Sequence, residues 1–140
     1  MRIFQRFPSN QHGAAAIEFA IVAPLFLLVV LTMIAYGIYL SAAHAVQQLT
    51  ADAARTAVAG LTSQERSQLV NDFISQSTID HPLIEKTKLH VTVTTDAANS
   101  NQFTVTAEYD TANLPIWNLY TFPLPDHTIR RFATIRMGGL

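Results

Sequence analysis

The sequence predicts an α+β fold in which one long N-terminal helix crosses a membrane and continues into a small domain. Three observations predict it. Residues 19–51 contain no Asp, Glu, Lys or Arg. A compact apolar stripe at helical spacing follows near residue 70. Two segments with strict apolar–polar alternation then flank a cluster of turn-forming residues, which is the pattern of a β-hairpin.

The apolar segment has the length of a membrane span. Its densest part, residues 19–40, would be about 33 Å long as a helix, which matches a hydrocarbon layer of ~30 Å. The apolar core of a secretory signal has only ~7–15 residues. Cleavage by signal peptidase I at a later small site, such as Ser41-Ala42-Ala43, nevertheless remains open. Arg2 and Arg6 place the N-terminus in the cytoplasm.

The helical pattern continues past the span. Val46, Leu49, Ala53 and Ala57 recur at helical spacing, and neither proline nor glycine occurs in residues 41–59. We therefore expect one helix over residues 14–59, about 70 Å long, with Gly60 as its C-cap. A break near Ser41 is the alternative.

Two further features lie within the span. Pro24 removes one helical hydrogen bond, which leaves either a tolerated kink or a point of local melting during subunit packing. Tyr36, Tyr39 and His44 are expected near the outer interface, where amphipathic side chains are favoured.

A second helix is expected to begin near Thr62, because Thr62 and Glu65 have the spacing of a capping box. It should end around Ser77. Four apolar residues on one face predict that this helix packs on the domain core: Leu69, Val70, Phe73 and Ile74.

The rest of the domain is predicted to be a small antiparallel sheet. Leu89–Val93 and Phe103–Tyr109 alternate between apolar and polar residues, with turn formers at 96–101 between them. A third strand is expected from Thr128 to Arg136, although Arg130 and Arg131 blur its alternation. Three prolines in residues 114–125 exclude a regular central strand there. The aromatic residues of that segment either cover one edge of the core or form a contact patch: Trp117, Tyr120 and Phe122.

Composition argues against several classes of function. The net charge is −1, so nothing predicts a nucleic-acid partner. There is no cysteine, and no pair of histidines has metal-ligand spacing on one helix. His12, His44, His81, His90 and His127 are expected in the leader, at the surface or in turns. Neither a phosphate-binding glycine loop nor a nucleophile elbow occurs. We therefore expect no catalytic residue, no metal and no cofactor.

Several charged residues have an ordinary surface explanation. Glu108 and Asp110 share one strand face, which a solvated sheet explains. Arg130, Arg131 and Arg136 are expected to be solvated strand charges, with contact to acidic partners as the alternative.

The first turns of the long helix hold the residues most indicative of function. Gly13 precedes the apolar segment, and Glu18 is its only carboxylate. An ionisable side chain near lipid is costly and is a functional hypothesis by default. A lone snorkelling carboxylate at the headgroups is the alternative.

These residues carry a resemblance to a known family. Gly13, Ala14, Glu18 and Phe19 resemble the signal of type IV pilins and pseudopilins, and the N-terminal block resembles the TadE-like minor pilins of tight-adherence (Tad/Flp) pilus systems. Residues 51–57 are also similar to that family. The resemblance is specific up to about Gly60.

The resemblance implies a processing route and a set of partners. A prepilin peptidase would cut between Gly13 and Ala14, and Glu18 with Phe19 would then act in assembly. The chain would comprise a basic leader at 1–13, the membrane and extended helix at 14–60, and a periplasmic α+β domain at 61–140. It would be a single-pass inner-membrane protein, with its N-terminus in the cytoplasm before any assembly into an extracellular pilus. Other pilins, the pilus assembly platform and membrane lipid are the implied partners.

The first residue of the mature protein distinguishes three possible functions. A start at Ala14 indicates a minor pilin that joins or primes a Tad-type pilus for surface attachment. A start at Met1 indicates an uncleaved, membrane-anchored binding protein. A start beyond Ala43 indicates a secreted domain, in which case an enzyme becomes the third possibility.

Overall fold

A computed structural model describes residues 11–77, 82–119 and 124–138. Arg2, Arg6 and His81 therefore lie outside the described residues. The fold is α+β, as predicted, with two α-helices, one short 3-10 turn and one sheet in this part of the chain. In chain order the elements are α1 (Gln11–Ala57), α2 (Ser63–Gln76), the 3-10 turn Lys86–Lys88, β1 (Leu89–Thr95), β2 (Gln102–Asp110) and β3 (Thr128–Arg136).

Helix α1 is one continuous element of 47 residues that includes Pro24. It does not break near Ser41, so the single-helix prediction is confirmed, and it ends two residues before the expected Ala59. The side chains of Thr32 and Thr50 donate to the carbonyl oxygens of Leu28 and Val46, at 2.7 and 2.6 Å. Both hydroxyls thus donate to carbonyl oxygens of the same helix, and neither draws the backbone into a non-helical conformation.

The three strands form an antiparallel sheet in the order β1-β2-β3. Leu89 faces Tyr109 across the first pair, and Tyr109 faces Ile129 across the second. These three side chains are buried on the same face of the sheet. The predicted hairpin and the bounds of the third strand are both confirmed.

The blurred alternation of β3 has a structural explanation. Arg131 takes an inward position opposite the small Ala107, while Phe132 points outward and is 66% exposed. The Arg131 guanidinium donates to the carbonyl oxygen of Arg130 at 2.8 Å. An inward charge on an edge strand protects the sheet from pairing with other chains. The polarity of Arg131 and Phe132 is the reverse of the usual pattern, but the pairing register of β3 with β2 stays regular through both residues.

Two clusters of buried side chains form the core. The span-side cluster is Ala35, Ala42, Ala43, Val46, Leu89, Ala107, Tyr109, Leu114, Ile116 and Ile129. The distal cluster is Ala53, Ala54, Ala57, Val70, Phe103 and Val105. Helix α1 and strand β3 therefore run in the same direction, because the early residues of both lie at the span-side cluster. The β1–β2 turn lies at the other end, farthest from the apolar half of α1.

Helix α2 begins with the predicted capping box. The Thr62 hydroxyl accepts from the backbone N–H of Glu65 at 3.1 Å, and the Glu65 carboxylate accepts from the backbone N–H of Thr62 at 3.2 Å. Val70 is fully buried, and Phe73 and Ile74 pack against the core. Three residues of the apolar stripe are therefore core, as predicted, whereas Leu69 is half-buried and belongs to neither cluster.

Gly60 has a different role from the one expected. None of the described glycines has a positive φ, so Gly60 is not a left-handed C-cap. A Cβ at this position would instead lie 2.8 Å from both the backbone nitrogen and the Cγ of Arg66. The backbones of the α1–α2 connection and the first turn of α2 approach so closely that only glycine fits.

We expect Thr62→Ala to lower the free energy of unfolding by about 1 kcal/mol, the usual cost of losing an N-cap. Trp117, the single tryptophan, reports unfolding by fluorescence when urea is added to the protein in detergent micelles. Gln68→Ala, at an exposed position later in α2, is the control and should change it by less than about 0.5 kcal/mol. Equal unfolding midpoints for the two variants would contradict this role of the capping box.

Gly60→Ala and Gly60→Asn should both destabilise the domain, by about 1–3 kcal/mol, because each forces a side chain into filled space. Asparagine separates the two explanations, since it tolerates a left-handed C-cap but cannot avoid the contact with Arg66. Gly37→Ala is the control, because a Cβ there meets nothing within 4 Å. Stability retained in Gly60→Asn but lost in Gly60→Ala would restore the C-cap explanation.

Candidate functional site

The four residues singled out from the sequence lie on the first turns of α1. Gly13, Glu18 and Phe19 are exposed, and Phe19 is 73% exposed. Ala14 lies in the helix, although its side chain is outside the described residues. Residues 14 and 18 are four apart and therefore lie on the same face of the helix, one turn from each other.

Glu18 makes no ion pair with the described residues of its own chain. The two ion pairs in those parts join Arg55 to Asp52 and Arg130 to Glu108. At Gly13 an added Cβ would meet nothing within 4 Å. Within the part of the chain that the structure describes, the space around Gly13 does not require glycine, and Glu18 forms no ion pair that would stabilise the fold.

The first half of α1 is an exposed apolar surface. Large side chains along it are between 40% and 73% exposed, and by length and composition this helix is able to cross a membrane. They are Ile17, Phe19, Ile21, Val22, Leu25, Phe26, Leu27, Val29, Met33, Ile34, Tyr36 and Leu40. This surface is consistent with a single-pass membrane anchor.

The connection between β2 and β3, which we call the proline-rich loop (residues 111–127), is closed by its own hydrogen bonds. The backbone N–H and the hydroxyl of Thr111 both donate to the carbonyl oxygen of His127, at 2.9 and 2.7 Å. The Trp117 indole N–H donates to the carbonyl oxygen of Thr111 at 2.6 Å. The Trp117 ring also stacks on that of His127, with the ring centroids 3.8 Å apart.

Trp117 is half-buried and packs against the span-side cluster. It therefore covers one edge of the core, the first of the two explanations that the sequence offered. Tyr120 and Phe122 lie outside the described residues. The described part of this loop contains no strand, in agreement with its three prolines.

A cleft of about 340 Å³ lies beside this loop, between residues 82–85 and 113–115. The Tyr109 hydroxyl lies on its wall; it donates to the carbonyl oxygen of Leu83 at 2.9 Å and accepts from the Glu85 N–H at 3.3 Å. This hydroxyl therefore holds its own wall of the cleft together.

Arg66 is a buried residue that sequence reasoning missed. It is only 4% exposed, its Nε donates to the carbonyl oxygen of Gly60 at 3.0 Å, and one Nη donates to the Met137 sulfur at 3.4 Å. Its guanidinium lies 4.8 Å from the centre of the Phe103 ring. A cation over an aromatic face is stabilised by the ring quadrupole. No sequence signal marks Arg66, because two of its three partners, Phe103 and Met137, come from distant segments of the chain.

The other charged groups are dispersed over the surface. Arg130 and Arg136 are exposed, and the Arg130 Nε lies 3.2 Å from a Glu108 carboxylate oxygen. Glu108 and Asp110 are both exposed, as expected for a solvated strand. Over the described ranges, no three His, Asp or Glu side chains come together as metal ligands.

Comparison with known proteins identifies the N-terminal part of the chain. Residues 13–55 match the sequence model of the family described as TadE-like protein. The match covers less than half of the chain and begins at Gly13. Neither curated proteins nor solved structures gave a match. Over residues 13–55 the chain is therefore TadE-like, which is consistent with a TadE-like protein of the Tad pilus system.

Proposed function

We propose that this chain is a minor pilin that a prepilin peptidase cleaves after Gly13 and that then joins or primes a Tad-type pilus for surface attachment. In this proposal its partners are the peptidase, the other pilins and the assembly platform. The chain is a substrate of an enzyme and has no catalytic role of its own.

The observation that carries the proposal is the position of Gly13 and Glu18 at the exposed start of α1. An added Cβ at Gly13 would meet nothing within 4 Å, and Glu18 lacks an ion pair within the described chain. A carboxylate at the edge of a membrane span without such a pair is a candidate functional residue. Processing would account for Gly13, and assembly for Glu18.

Cleavage would give Glu18 a partner. The new α-amine on Ala14 would lie one helical turn from the carboxylate, and in a staggered stack of parallel helices it would meet Glu18 of a neighbouring subunit. A charge pair in low dielectric is strong in Coulomb terms but loses much of that energy to desolvation. Its main effect would be to set the register between helices, since an unpaired carboxylate tolerates few alignments.

The neighbouring side chains suit close helix packing. Ala14, Ala15 and Ala16 are small, and small residues allow helices in membranes to approach each other. Phe19 and Ile17 are 73% and 65% exposed, so the chain itself leaves both free to contact lipid or another helix. Arg2 and Arg6 would keep the leader in the cytoplasm with the peptidase.

Gly13→Val should block cleavage without unfolding the protein. A Cβ at this position would meet nothing within 4 Å, so a loss of processing would reflect recognition by the peptidase. Gly37→Val is the matched control, because it places the same side chain on the same helix in equally open space. Intact mass of the protein from native membranes distinguishes the two forms, and cleavage of Gly13→Val at the normal level would refute the assigned site.

Glu18→Ala and Glu18→Gln should both be cleaved normally but recovered in pili at a level at least about tenfold lower, the change that corresponds to ~1.4 kcal/mol. Glutamine keeps the shape of the side chain and removes its charge. The measurement is the ratio of processed protein in sheared pili to that in membranes. Recovery of Glu18→Gln in pili at the wild-type level would contradict the pairing mechanism, because this variant differs from the wild type only in the charge of the side chain.

The N-terminal sequence of the native protein separates the proposal from its alternatives. A start at Ala14 supports prepilin processing. An intact Met1 in cells with active peptidase supports an anchored binding protein, and a start beyond Ala43 supports a secreted domain. The last two results would each overturn the proposal.

A further inference from the structure

We propose that this chain docks head to tail on a second copy of itself, through an apolar knob at one end of the domain and an apolar cleft at the other. The knob is formed by Val58 and Leu61, and the cleft is the one between residues 82–85 and 113–115. This inference rests on the proposed function, because the contact requires copies that are staggered along α1, as in a pilus.

The knob lies at the end of the domain farthest from the span. Val58 and Leu61 directly follow the end of α1 at Ala57, which belongs to the distal cluster. Leu61 is 88% exposed and Val58 is 43% exposed. Among the described residues beyond Leu40, the one other large apolar side chain with such exposure is Phe132, on the outer face of the sheet. The knob is therefore an uncovered apolar surface beyond the span.

The segment that carries the knob is held in place by hydrogen bonds. The Glu65 carboxylate accepts from the backbone N–H groups of Leu61 and Thr62, at 2.9 and 3.2 Å. The buried Arg66 donates to the carbonyl oxygen of Gly60 at 3.0 Å. Because the backbone on both sides of the Leu61 side chain is already fixed, binding of the knob would cost little conformational entropy.

The cleft lies at the opposite end of the domain, beside the span-side cluster. Leu114 belongs to that cluster, and Leu83 and Ile84 pack against it. These three residues line the cleft, together with the exposed Pro82 and Pro115. Its volume of about 340 Å³ is at the lower end of the ~300–1,000 Å³ that ligand pockets have. The cleft is therefore suited to a small apolar group such as the knob.

Charged groups of opposite sign lie beside the two surfaces. Glu65 lies beside the knob, and Lys88 lies beside the cleft, where its ammonium donates to the Asn113 side-chain oxygen at 2.6 Å. Neither charge belongs to an ion pair within the described parts of the chain. The Glu85 carboxylate, also at the cleft, already accepts from Asn113 and from the Thr87 hydroxyl. In the proposed contact Glu65 of one copy faces Lys88 of the next, and such complementarity favours one partner and one orientation.

The two surfaces are unlike, so the contact can repeat from copy to copy. A knob and a cleft at opposite ends of one molecule form a heterologous interface, which builds a ring or an open filament rather than a two-fold dimer. A repeat along the direction of α1 keeps all the anchoring helices parallel. Because a contact of this small size is too weak for a stable dimer in solution, it acts between subunits that other contacts already align.

The knob and the cleft lie at different heights along α1. Ala35 belongs to the span-side cluster and Ala57 to the distal cluster, and the helical rise places these two residues about 33 Å apart. Copies that span one bilayer lie at the same height, so the knob of each copy lies well above the cleft of its neighbour. The contact therefore forms only when one copy has moved along its axis relative to the next, which distinguishes assembled subunits from those in the membrane.

Cysteine cross-linking in cells tests this inference, because the chain contains no native cysteine. Leu61→Cys and Pro115→Cys are combined in one full-length chain. A disulfide requires Cα atoms within about 7 Å, so the two thiols cannot react within one copy. After oxidation by copper phenanthroline we expect a ladder of covalent dimers and larger multimers in sheared pili, and monomers in the membrane fraction.

Control variants separate the proposed contact from chance collisions. Each single-cysteine variant should stay monomeric, because the contact joins unlike surfaces. Leu61→Cys combined with Thr134→Cys, at an exposed position on the outer face of the sheet, is the matched control and should give no ladder.

Leu61→Ser tests the contact without any cysteine. It should be cleaved normally but recovered in pili at a level at least about tenfold lower, because burial of a leucine side chain contributes at least this factor in affinity. Phe132→Ser removes another exposed apolar side chain and should be recovered at the wild-type level.

The possible outcomes separate the contact from the proposed function. Processed protein in pili without a ladder, or recovery of Leu61→Ser at the wild-type level, would overturn the contact and leave the proposed function intact. A ladder equally strong in the membrane fraction, or a cross-linked product with the mass of this chain plus a different protein, would also overturn it. An uncleaved chain that is absent from pili would refute the proposed function, and the contact with it.

Discussion

The structure depends on one helix that meets two different environments. The first half of α1 exposes large apolar side chains, and the second half buries a narrow face against the sheet. That face consists mostly of alanine, with Val46 and Thr50 as its largest fully buried members. Small side chains let the sheet approach the helix closely, so the bulk of the core comes from Phe103, Tyr109, Ile116 and Ile129. Because α1 has no break between its halves, membrane span and domain core form one element.

Local patterns in the sequence predict most of this fold. The capping box at Thr62, the strand alternation and the turn formers at 96–101 each depend on neighbouring residues, and each occurs as predicted. The error at Gly60 has its cause in the close packing of the α1–α2 connection: the sequence shows a glycine after a helix, but not that Arg66 occupies the space beside it. Arg66 itself was missed because Phe103 and Met137 meet it only after the sheet has formed.

The candidate processing site is also predicted from the sequence, but not from the patterns that predict helices and strands. Gly13, Ala14, Glu18 and Phe19 are informative through their motif, and the structure adds that, among the described residues, a Cβ at Gly13 would meet nothing within 4 Å and Glu18 forms no ion pair. The end of the domain at which the described residues of the proline-rich loop lie could not be predicted from the sequence. It follows from the shared direction of α1 and β3, which the two core clusters show.

The absence of a linker between span and domain has a mechanical consequence. A pull along the axis of α1 reaches the domain core directly, because no flexible segment between them can extend first. The load falls on the contact between α1 and the sheet and acts parallel to it, so that many side-chain contacts resist together. A chain pulled along this axis with the domain first would thus move as one body, with the turn between β1 and β2 at its leading end.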